Sequence, residues 1–156
     1  MTHRPALAAL AFALWLAGAP AIAQTSSPCA VPDEYEPARL YGLWQLTLWP
    51  DGGSPERPSS TGAVLFERHP EYAGGVRGRL KRSGPGNDRE AVVSGDVADG
   101  EFNLDESANG VDLDAVWTGV PQACGNEFQG IRRPAEGRPS DEPPLQFLLK
   151  KSLGWN

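Results

Sequence analysis

The chain has 156 residues and sets 14 Lys and Arg against 20 Asp and Glu, a formal net charge of −6. That balance disfavours nonspecific attraction to nucleic acid or to an anionic lipid surface, so neither is expected as a partner. Its 18 Gly and 15 Pro are spread along the sequence, and after residue 23 no stretch repeats apolar residues at helical spacing, which excludes a helix-built core.

Residues 1–23 read as a cleavable secretory signal. His3 and Arg4 precede an apolar run from Ala6 to Ala17, and the small residues Ala21 and Ala23 fit a signal-peptidase pocket. The run is about a dozen residues where a membrane helix needs roughly 20, and Gly18 and Pro20 interrupt it. The expected mature protein therefore begins at Gln24, is periplasmic or secreted, and has no membrane span after cleavage. Removing 23 residues from 156 leaves 133, and loss of Arg4 moves the charge to −7. That length suits one domain. We divide it into an N-terminal arm over 24–39, a β domain over 40–151 and a C-terminal tail over 152–156.

The two cysteines, Cys29 and Cys124, are expected to form a disulfide in an oxidising compartment. Such a bridge closes a loop of roughly 95 residues, worth about 4 to 5 kcal/mol in the chain-entropy account, and staples the arm to a late strand. A metal or redox pair is the alternative, but there is no C-x-x-C spacing and His69 is the only further soft ligand. No metal or other cofactor is expected.

From residue 40 the pattern is short alternating runs bounded by turn signals. Strands are expected at 40–49, 62–68, 75–82, 90–98, 100–107, 111–119, 122–132 and 144–151. Asp99-Gly100 and Asn109-Gly110 are dipeptides that tolerate the positive φ angles of tight hairpins. After the second, Val111, Leu113, Ala115 and Trp117 alternate with mostly polar neighbours, so one face is apolar. Two longer connections, Pro50 to Thr61 and Pro134 to Pro143, are Pro-rich and polar. The fold class is all-β: an eight-stranded antiparallel up-and-down barrel, which removes exposed strand edges, with a two-sheet β-sandwich as the alternative.

The first strand carries Gly42-Leu43-Trp44, a Gly-x-Trp at the start of an eight-strand meander. This layout resembles the calycin barrels, the group of lipocalins and avidins, and the resemblance implies that Trp44 closes one barrel end. Only architecture carries over: the Thr-Asp-Tyr signature of many lipocalins and the biotin-binding set of avidins are not found. Small exported inhibitors of proteases and lysozymes are similar in size and in their sparse cysteines.

Catalytic inventory is thin. His69, in the loop His69-Pro70-Glu71-Tyr72-Ala73-Gly74-Gly75, has no partner to activate it, and Ser94-Gly95-Asp96 lacks a nucleophile elbow. Asp96, Asp99, Glu101, Asp105, Glu106, Asp112 and Asp114 read as a solvated acidic face, without calcium-loop spacing. Arg77, Arg79 and Lys81 share the outer face of the third strand, joined by Arg68 or Arg82 at its ends. Trp44, Phe102, Trp117, Phe128 and Phe147 fall on inward positions, where they fill the barrel or line a pocket.

The expected function is non-enzymatic recognition of a small apolar molecule or a secreted protein partner at the barrel mouth. Its candidate ligand contacts are Trp49, His69, Tyr72 and Trp117. The alternative is inhibition of a secreted or periplasmic hydrolase through the arm from Gln24 to Leu40 or a Pro-rich loop.

Overall fold

The computed structural model describes residues 35–84, 86–137 and 142–154. It is a closed barrel of eight antiparallel strands, each paired with its neighbour in sequence. The strands are β1 Gly42–Pro50, β2 Ser60–Arg68, β3 Val76–Arg82, β4 Arg89–Ala98, β5 Glu101–Ser107, β6 Ala115–Gln122, β7 Glu127–Pro134 and β8 Leu145–Lys151. Closure comes from β1 lying against β8, with Trp44 opposite Lys151 and Pro50 opposite Leu145. This is the up-and-down barrel that the alternating runs imply, and not a sandwich.

Local chemistry explains where strands begin and end. Asp99 and Gly100 both adopt left-handed backbone, with φ of 52° and 75°, and join Ala98 directly to Glu101 in register, as a two-residue hairpin requires. Asn109-Gly110 does not act in this way. Asn109 Oδ1 accepts the backbone N–H of Val111 and of Asp112, both at 2.9 Å, and Asp114 Oδ2 accepts that of Ala108 at 2.7 Å. Those side chains satisfy the backbone outside any ladder, so the expected strand at 111–119 starts only at Ala115 and leaves Val111 88% exposed. The expected strand at 122–132 is likewise shifted to Glu127–Pro134, because Ala123, Cys124 and Gly125 are all left-handed and form a turn.

The interior is a column of rings. Trp44 meets Phe128 at 5.1 Å between centroids, Phe128 stacks on Phe102 at 4.5 Å, and Phe102 leads through Phe147 to Trp117. Phe66 packs against Trp44 and Phe102. These six rings are at most 1% exposed. Gly119 makes room for one of them: a Cβ there would come within 2.7 Å of Phe147 Cζ.

The 3₁₀ turn Pro37–Arg39 covers the end at which β1 begins. Trp44 Nε1 donates to the Leu40 carbonyl at 2.7 Å, Lys151 Nζ donates to the Arg39 carbonyl, and Tyr35 packs edge-on against Phe128. Trp44 thus closes this capped end, as the Gly-x-Trp resemblance implies. The 69–75 loop and the Asp99-Gly100 hairpin lie at the capped end, whereas the 51–59 and 108–114 connections lie at the far end.

Candidate functional site

Near the far end, four inward or loop-borne charges meet beside Trp117. Arg132 holds Glu106 through Nε to Oε2 at 2.7 Å and Nη2 to Oε1 at 3.1 Å, and Trp117 Nε1 donates to Glu106 Oε2 at 2.9 Å. Glu142 takes a two-point contact from Arg82, at 2.7 and 3.3 Å, and approaches Arg132 and Arg89. Arg82, Arg132 and Glu106 are buried. Arg82 therefore faces inward, and does not extend the outer basic stripe. Burial pushes the Glu142 carboxyl up, but the hydrogen bond and charge of Arg82, then the charges of Arg132 and Arg89, outweigh it and hold it below the usual range. Strand parity marks these residues in the sequence, since Glu106 follows Phe102 and Leu104, and Arg132 follows Phe128, at inward positions. The group is an internal brace between β3, β5, β7 and the connection before β8.

A groove of about 750 Å³ lies outside the barrel at its capped end. The arm residues Tyr35 and Glu36 form one side, His69 and Tyr72 another, and Ser94 and Asp96 of β4 with Asp105 of β5 border it. The 69–75 loop is shaped by its histidine. Nδ1 of His69 accepts the N–H of Glu71 at 3.1 Å and of Tyr72 at 3.0 Å, and the two rings lie 4.7 Å apart. A neutral His69 thus carries its proton on Nε2, and the nitrogen that could accept one is engaged by its own loop. Tyr72 stands 66% exposed.

Of the four residues singled out from sequence, only His69 and Tyr72 come together. Trp49 is on β1 at the far end and is 5% exposed, its outward ring covered by the turn after Pro50. Trp117 is core, 1% exposed. Neither borders the groove, because the 51–59 connection lies at the opposite end from the 69–75 loop and Trp117 points inward. Cys29 and residues 1–23 lie outside the described residues; Cys124 is exposed in the turn between β6 and β7, where its carbonyl accepts from Arg39 Nη2 at 3.2 Å. Among the described residues no cluster of His, Cys, Asp or Glu could hold a metal ion, and no helix is long and apolar enough to cross a membrane.

No protein-family model matches the chain, and no curated protein does. Among solved structures it is similar to that of EF1p2_mFAP2b bound to DFHBI. The likeness has a TM-score of 0.51 at 15% identity, covers 75% of this chain and 98% of that one, and is one of fold. The architecture is calycin-like: a closed meander of eight antiparallel strands.

Proposed function

We propose that this is an exported, non-enzymatic binding protein that recognises a secreted protein partner on its outer face, through the His69–Tyr72 loop and the groove beside it. The observation that carries this reading is the column from Trp44 to Trp117, which occupies the space where a calyx would hold a small molecule. With the interior taken, recognition falls to the exterior, where Tyr72 and Val111 are apolar and solvent-facing. Large exposed apolar side chains beside a shallow groove are a feature of partner surfaces. Export and a Cys29–Cys124 bridge belong to the same reading, which would hold the arm beside the groove it borders.

A small-molecule carrier is the second reading. It draws on the solved barrel of similar fold that is bound to DFHBI, and here it would require ring displacement inside the barrel.

A photo-cross-linking residue at position 72, introduced in the living host, tests the first reading. One discrete protein adduct is expected, absent when the same residue stands at position 65 on the outer face of β2. Native mass spectrometry of the purified protein should show the mass of the bare chain. A retained small molecule, with no adduct from position 72, would favour the carrier.

A further inference from the structure

The groove does not end at Tyr72. A second hollow of about 350 Å³ shares His69, Tyr72, Ser94 and Asp105 with it and reaches the 110–113 loop. The two form one trough across β4 and β5, from the arm at the capped end toward the far end. Its rim includes Tyr72 and Val111, 66% and 88% exposed.

The charge of the trough is predominantly negative. Ser94 pairs with Asp105 and Asp96 with Asn103, so Asp96 and Asp105 are diagonal neighbours on the outer face, about 7 to 8 Å apart at most in such pairs. Glu36 adds a third carboxylate from the arm. Among the described residues none of these three forms an ion pair with Lys or Arg. Among the described residues Arg77 is the one Lys or Arg bordering either hollow, and it stands opposite Glu67 on β2 and Ser94 on β4. A closed barrel also has no free strand edge to pair with a peptide backbone, so a partner is read through side chains.

We infer that the trough docks a basic segment of a partner protein, whose Arg or Lys heads reach Asp96 and Asp105 while their stems and flanking apolar residues lie on Tyr72 and Val111. A guanidinium placed there gains from two carboxylates and from the neighbouring rings. The rim offers contact to more than one isolated cation can cover, which favours a protein segment over a free amine. This deepens the proposed function and rests on its assignment of recognition to the outer face.

The probe is the peptide acetyl-Leu-Arg-Leu-Arg-Leu-amide, titrated into ¹⁵N-labelled protein beside its citrulline isostere and free arginine amide. Saturable shifts are expected at Ser94, Asp96, Asp105 and the 69–75 loop, with binding at least about tenfold tighter than for either control. The double variant Asp96→Asn with Asp105→Asn, both outward-facing, should weaken the peptide by about tenfold or more, while Arg79→Gln leaves it unchanged. Equal binding of the citrulline peptide would overturn the inference. So would arginine amide binding as tightly as the peptide, the mark of a small-cation site, or shifts spread without saturation over the whole acidic surface. If the peptide fails while position 72 still cross-links one protein, this inference falls and the broader reading stands; loss of both removes the outer face from consideration.

Discussion

Arg132 grips Glu106 with two nitrogens inside the barrel, 2.7 Å from Nε to Oε2 and 3.1 Å from Nη2 to Oε1, and Trp117 adds a third donor to the same carboxylate. Two charges out of water are held in place by this geometry, and removing one strands the other. Glu106→Ala is therefore expected to cost about 3 to 5 kcal/mol, because it leaves the Arg132 guanidinium buried without its bidentate partner. Replacing both residues together, with Glu106→Leu and Arg132→Met, should recover most of that loss. Urea denaturation of the single and double variants closes the cycle; a double variant as unstable as the sum of the singles would show that the pair is not coupled.

Glu142 gives the same brace a dependence on pH. Its folded carboxyl ionises more readily than in the unfolded chain, where a glutamate titrates near 4.3. The charged form then favours folding above about pH 4.3, and that contribution fades as pH falls through the lower folded value. Glu142→Gln is expected to lose about 1 to 3 kcal/mol at neutral pH. The gap to the wild type should begin to narrow between neutral pH and about pH 3, as the carboxylate starts to take up its proton. Denaturant midpoints at the two pH values measure it; a gap of constant size would mean that Glu142 acts by packing alone.

Tyr35 offers the opposite sign. It is 5% exposed, and among the described residues its hydroxyl has no hydrogen-bond partner. Burial pushes its pKa up, with Arg39 pulling the other way. Tyr35→Phe keeps the edge contact with Phe128 and the Arg39 guanidinium 4.4 Å over the ring, while removing an unpaired buried group. It should be neutral or stabilising by about 1 kcal/mol. Gly125→Ala is the contrasting case: a Cβ would sit 2.1 Å from the Tyr35 hydroxyl oxygen at a φ of +81°, so a clear drop in melting temperature is expected.

How much of this was legible in the sequence follows from what each signal encodes. Period-two alternation and Asp99-Gly100 gave strand number, order and the inward rings, because parity and a two-residue hairpin are local properties. Asn109-Gly110 misled because its side-chain bonds to Val111 and Asp112 make a wider loop from the same dipeptide. Trp49 and the His69–Tyr72 pair look alike as mouth contacts in the sequence, but alternate loops of a meander open at opposite ends, which sets the 51–59 connection away from 69–75. Glu106 and Arg132 were hidden for a different reason. Their parity is inward, but the acidic run and the charge itself suggest a solvated face until the partner across the barrel is known. The trough depends on the arm and two loops folding against β4 and β5, a relation no local pattern carries.

Phe102 is where the filled interior can be tested directly. It stacks on Phe128 at 4.5 Å and 22°, contacts Phe66 and Phe147, and is fully buried. Phe102→Ala removes a ring from the middle of the column, where closed strands limit collapse, and should cost about 3 to 5 kcal/mol. The space left would be lined by aromatic and aliphatic groups and stay dry, so a small apolar molecule such as toluene should enter it and restore part of the lost stability by mass action. Thermal melts with and without toluene read both effects. The wild type should not respond, because its column leaves no room. A wild-type melting temperature that rises with toluene as much as that of Phe102→Ala would mean the rings part readily, and recognition would then move back inside the barrel.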